Sequence, residues 1–147
     1  LAAVVAGGVW AAESGWRPVW SVPLVFMAVM AFAAVLAFAG IALPVVEAGI
    51  AASLLVLGLL IAAAVRLPAL VGALIVALFA LFHGYAHGAE IPQAAAPWLY
   101  AGGFLLATGL LHAAGIFAGR PWAARLPWLA STAGLALSAG GAWMLLG

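Results

Sequence analysis

The stretch Leu67-Pro68-Ala69-Leu70-Val71-Gly72-Ala73-Leu74-Ile75-Val76-Ala77-Leu78-Phe79-Ala80-Leu81-Phe82-His83-Gly84-Tyr85-Ala86-His87-Gly88 decides the fold. It carries no Asp, Glu, Lys or Arg, and a helical crossing of a bilayer core takes about 20 such residues. Pro68 near its start suits the first turn of a helix, where a missing N–H costs nothing. The stretch ends in His83-Gly84-Tyr85-Ala86-His87-Gly88-Ala89-Glu90. On a helix His83 and His87 are i and i+4, on one face one turn apart. At about 100° per residue Glu90 projects within roughly 60° of both. Two neutral imidazoles and a carboxylate at that spacing can be offered to one divalent ion.

The rest of the chain matches this membrane reading. Of its 147 residues 70% are hydrophobic and 5% charged, whereas globular domains carry about 25% charged residues. Mean hydropathy is +1.36. The chain is expected to be an all-α integral membrane protein, a single transmembrane helical domain over residues 1–147. Continuous long apolar runs exclude the ten-residue alternation of a barrel. Four arginines against three glutamates, a net charge of +1, make no basic patch, so nucleic acid is not an expected partner. The lack of cysteine excludes disulfides, thiolate metal sites and covalent haem attachment. No Walker-type loop is present.

Charges, prolines and glycines cut the sequence into six apolar stretches: Leu1–Ala12, about Val19–Gly40, Glu47–Val65, Leu67–Gly88, Trp98–Gly119 and Pro127–Leu146. Leu1–Ala12 is too short to cross and lacks the features of a signal peptide. It is read as the end of a first helix truncated at its N-terminus, so the fold expected is a six-transmembrane-helix bundle. Short connections predict antiparallel neighbours in chain order.

Arg17, Arg66, Arg120 and Arg125 fall in the first, third and fifth loops, and the other loops carry no arginine. The positive-inside rule puts those loops in the cytoplasm, and the histidine motif and the C-terminus outside, as in a bacterial inner membrane protein. Trp16, Trp20, Trp122 and Trp128 then belong to an inner aromatic belt, and Trp98, Tyr100 and Trp143 to an outer one. Glu47, His83, His87 and Glu90 all fall on the outer rim, where an uncompensated polar cluster is costly unless a cation binds it. The bland alternative is solvated loop carboxylates and histidines bonded to backbone.

Ala130, Gly134, Ser138 and Ala142 recur every four residues, a face that lets a neighbouring helix approach closely. Thr108, His112, Gly115 and Gly119 form a related stripe. Such small-residue faces would also serve self-association into a homo-oligomer. His112 lies about 21 Å below Trp98 at 1.5 Å per residue, and His83 only about 7 Å below Gly88. An ionisable group at that depth marks an ion path by default.

At these residues the sequence resembles the HupE/UreJ family of membrane nickel and cobalt permeases. The resemblance rests on Leu81-Phe82-His83-Gly84-Tyr85-Ala86-His87-Gly88-Ala89-Glu90, Leu110-Leu111-His112-Ala113-Ala114-Gly115, and Leu43-Pro44-Val45-Val46-Glu47 continuing through Ile50-Ala51-Ala52-Ser53 to Gly58. It implies uptake of Ni²⁺, or Co²⁺, for hydrogenase or urease, with His83, His87 and Glu90 handling the metal and Glu47 and His112 assisting. Members of that family open with a His-Pro…Gly-x-Asp-His motif; this chain begins where that motif would just have ended.

The leading expectation is therefore a permease with no permanently bound cofactor, whose partners are the transported ion and the lipid bilayer. His83, His87, Glu90 and Glu47 would form the outer metal site, with His112 as a second station. An enzyme is not expected, since no general acid or base can be assigned beside a metal-bound water. The alternatives are a structural or assembly subunit and a haem-binding electron carrier. The second is disfavoured by a depth difference of about 14 Å between His83 and His112.

Overall fold

The computed structural model describes residues 2, 4–6, 9, 20–90, 96–125 and 127–147, with backbone alone for 118–125 and 127. The described residues are helical apart from short connections, with no strand among them. Ala2, Val4, Val5, Ala6 and Val9 have helical backbone, and Val4 and Ala6 are buried in the core. The remainder of the expected first stretch, with Glu13, Trp16 and Arg17, lies outside the described residues. Five helices follow: α1 (Ser21–Phe38), α2 (Val46–Ala62), α3 (Ala69–Ala89), α4 (Pro97–Arg125) and α5 (Pro127–Leu146). α1, α3, α5 and the Pro97–Phe117 part of α4 are long and apolar enough to cross a membrane, and α2 is a shorter apolar helix. The chain is a multi-pass membrane protein.

Two helix ends show why the boundaries fall where they do. At the end of α1 the Gly40 N–H donates to the Ala37 carbonyl and the Ile41 N–H to that of Leu36, with Gly40 at φ 75°. This is the left-handed turn for which glycine is suited. The same bonds recur after α2, from Ala64 to Ile61 and from Val65 to Leu60, but here Ala64 takes φ 48°. That turn ends α2 at Ala62, three residues before the Val65 expected from hydropathy. Conversely, helical backbone continues through Arg120 and Arg125, placed in a loop by the sequence reading. Proline at position 121 did not end the helix; the side chains there lie outside the described residues.

Chain order does not set the neighbours. The most extensive contacts pair α1 with α3 and α2 with α5, while α2–α3, α1–α4 and α4–α5 touch less. This corrects the expectation that successive helices are one another's packing partners. The reason is surface shape. A Cβ added to Gly84 would meet the backbone of Met30, and one on Gly88 would lie 2.5 Å from the Ala34 carbonyl oxygen. Both numbers rise together along the two helices, so α1 and α3 run parallel with their backbones in contact. On α5, Gly134 faces Gly58 and Ala62, and Gly141 faces Ala51 and Leu55, so α5 runs antiparallel to α2. The expected close-packing stripe on α5 thus serves α2: Ser138 Oγ donates to the Gly134 carbonyl at 2.9 Å and to that of Leu55 at 3.2 Å.

Without a hydrophobic drive between helices in lipid, close backbone approach supplies the dispersion that holds them. The opposite faces carry Leu70, Leu74 and Leu78 on α3 and Phe32 and Val35 on α1, all exposed and suited to acyl chains. Trp20 packs edge-on against Phe117 at one end of the bundle. Trp98 and Trp143 stand exposed at the other. Trp122 lies outside the described side chains.

The glycine contacts give a direct test. Gly84→Ala forces a methyl into the Met30 backbone and should cost about 1–3 kcal/mol, as overpacking does. Gly102, where an added methyl would meet nothing within 4 Å, should accept alanine without loss. Thermal unfolding of the detergent-solubilised chain measures both; equal behaviour would contradict the parallel α1–α3 contact.

Candidate metal site

Two of the three histidines, His83 and His112, pack on one ring, Phe26 of α1, and the third, His87, packs on Phe104 of α4. His83 and His87 project from the last two turns of α3, between the glycines that press that helix onto α1. Since Gly84 and Gly88 face α1, the histidines one position earlier are turned about 100° from that contact, toward α2 and α4. His83 is buried, and its Nε2 lies 2.9 Å from Ser53 Oγ on α2. Gly49, one turn before Ser53, leaves the space taken by the Phe82 ring, so α2 and α3 approach closely at this level. His87 is half-buried and stacks on Phe104 of α4, with centroids 5.3 Å apart and planes 14° from parallel. Its Nδ1 is buried and has no hydrogen-bond partner among the described residues.

His112 is fully buried on α4. Its Nδ1 sits 3.1 Å from the Thr108 carbonyl oxygen, which has no proton to give, so Nδ1–H donates. Nε2 then carries the lone pair, and it is buried without a partner among the described residues. Leaving such a group unpaired costs about 1–3 kcal/mol. Phe26 of α1 packs against both His112 and His83, with centroids 4.9 and 6.0 Å away. Beside them Thr108 Oγ1 approaches Met30 Sδ at 3.9 Å.

This geometry corrects two expectations. Two rings that share Phe26 as a neighbour cannot differ in depth by about 14 Å. The count from Trp98 failed because α4 begins beyond the end of α3. Tyr100 and His87 both pack on Phe104, so the last turn of α3 meets α4 about two turns below Pro97. The depth argument against haem ligation goes with it.

The second correction concerns the rim. Glu47 and Glu90 lie at the same end of the bundle as His87 but are exposed, in the first turn of α2 and just after α3. A carboxylate in the first turn of a helix is already stabilised by the free N–H groups there. Among the described residues no three histidine or carboxylate side chains come together as a metal-holding group. Of the four groups expected on the rim, His83 is buried and His87 half-buried, while Glu47 and Glu90 stand exposed. Ser53, Phe26, Phe104 and the two glycines were missed as site residues. A lone hydroxyl in an apolar helix and glycines spaced i, i+4 were the available signals.

Replacing His112 separates packing from function. A buried polar atom without a partner adds nothing to stability, so His112→Leu should leave the melting temperature of the solubilised chain unchanged or raised. A clear drop would show that Nε2 has a structural partner.

The chain matches the family model described as HupE / UreJ protein over residues 1–144. It is 45% identical over 105 residues to Protein HupE of Rhizobium leguminosarum bv. viciae, an alignment covering 71% of this chain and 55% of that protein. The chain thus spans about half the length of that relative. No solved structure matches. The helical bundle, the His83–Glu90 motif on α3 and a family match along nearly the whole chain lead to one conclusion: this protein belongs to the HupE/UreJ family.

Proposed function

We propose that this protein carries a divalent transition-metal ion, Ni²⁺ before Co²⁺, across the bacterial inner membrane, and that His83 and His87 are its principal ligands. The observation that carries the reading is the set of imidazole nitrogens left bare inside an apolar bundle, on His87 and His112, in a family to which such transport is ascribed by resemblance. Neutral imidazole suits borderline ions, and a chain without cysteine offers no thiolate to softer ones.

Glu47 and Glu90, exposed at the same end, attract the hydrated cation and lower its charge in the low-dielectric mouth. The ion then exchanges part of its water for His87 and His83. His112, which shares Phe26 with His83, receives it next. Conduction requires sites weak enough to release the ion. The arginine-bearing end, with Arg66 after α2, faces the cytoplasm under the positive-inside rule, which puts the glutamates outside. A hydrogenase or urease that uses nickel is the expected beneficiary. The transport reading extends to this chain a property of whole family members, and a structural or assembly role is the outcome if no ion is carried.

Cells lacking their own nickel uptake, expressing this chain, should accumulate radioactive Ni²⁺. His83→Ala or His87→Ala should abolish that accumulation, and Glu90→Gln should reduce it several-fold. Uptake unchanged by both histidine substitutions, at equal protein level in the membrane, would overturn the reading.

A further inference from the structure

Ser53 is the one hydroxyl in contact with the histidine pair among the described residues, and the transport reading gives it no role. Its surroundings determine a proton arrangement. Ser53 Oγ lies 2.6 Å from the Ile50 carbonyl oxygen. Two oxygens at that separation share a hydrogen, and only the serine has one to give, so the hydroxyl donates to its own helix. The same Oγ lies 2.9 Å from His83 Nε2. With the serine proton already committed, the hydrogen of this second contact belongs to the imidazole.

We propose that Ser53 is a positioning residue that holds His83 as the neutral Nε2–H tautomer, so that His83 meets the metal ion through Nδ1. Ser53 is fully buried, so water does not compete for the contact. The contact also fixes the ring against rotation, because α2 holds the oxygen and α3 holds the imidazole. Nδ1, the nitrogen nearer the backbone, is then the one that carries the lone pair, and on His87, one turn later, Nδ1 is buried without a partner among the described residues. His112 is arranged the opposite way: its Nδ1–H is bonded to the Thr108 carbonyl and its Nε2 is bare. His83 and His112 thus present their lone pairs from different ring positions, each set by a hydrogen bond at the other nitrogen. A partner at the second nitrogen is what orients a metal-binding histidine and fixes its tautomer.

The tautomer stands on the hydrogen bonds alone, while its use by a metal rests on the transport reading, and the experiment separates the two. In the full chain, solubilised in detergent, labelled with ¹⁵N-histidine and free of metal, long-range ¹H–¹⁵N correlation distinguishes the ring nitrogens. His83 is assigned by its absence from His83→Gln. Wild type should show His83 protonated at Nε2. Ser53→Ala should bring in the Nδ1–H form and weaken Ni²⁺ binding tenfold to a hundredfold, the range found when such supporting partners are removed. Ser53→Thr, which keeps the hydroxyl, should retain both properties, a rescue that loss of packing would not show. An Nδ1–H tautomer in wild type overturns the assignment, and needs no variant to fold. Unchanged tautomer and unchanged affinity in Ser53→Ala overturn the positioning role. Wild-type protein with the Nε2–H form but no Ni²⁺ binding upholds the tautomer and overturns the metal reading.

Discussion

The contact on which the structure depends is backbone against backbone, where α3 lies on α1. Gly84 and Gly88 have no side chain, and the Met30 and Ala34 main chain occupies that space. In the string His83-Gly84-Tyr85-Ala86-His87-Gly88, each glycine follows a histidine. Helical geometry turns a docking contact at the glycines into a fixed direction for the imidazoles. Held on α1, α3 can direct its histidines only toward α2 and α4, and there Ser53 and Phe104 receive them. The motif therefore sets glycines that pack directly beside the histidines whose direction they fix. A substitution at either glycine would displace the histidines without touching them.

The second pairing, α2 with α5, supports the first. Gly58, Gly134 and Gly141 allow these helices to meet as closely as α1 and α3 do, and Ser138 adds a hydrogen bond across the contact. Because α2 carries Ser53, the position of α5 indirectly determines where the oxygen beside His83 stands. α4 is held more loosely, through Phe26 and Met30 of α1 and Trp20 just before it. It brings Phe104 against His87, and His112 against the Phe26 ring that also packs on His83. Imidazoles buried without full hydrogen bonding are costly in an apolar setting, and close helix contacts elsewhere offset that cost.

Much of this was legible in the residues. Hydropathy and proline placed the helices to within a few positions, and the bounds of α5, Pro127–Leu146, agree residue for residue. The i, i+4 histidines and the stripe on α5 were readable because both follow from helical period. Neighbour order was not readable, because loop length constrains direction and says little about which faces fit. The level of α4 was misjudged since a residue count from Trp98 assumes that all helices begin in one plane. Ala64 shortened α2 through a left-handed turn that an alanine does not advertise. Ser53 escaped notice because its importance comes from the oxygen's position across the helix gap, thirty residues from the histidine it meets.

The central claim is that α3, docked by its glycines, presents imidazoles from inside the bundle to a divalent ion. X-ray absorption at the nickel edge, on purified protein loaded with one Ni²⁺ per chain, tests it most directly. The account predicts a shell of nitrogen and oxygen with the outer-shell scattering of at least two imidazole rings. A shell of oxygen alone, without imidazole scattering, would contradict it.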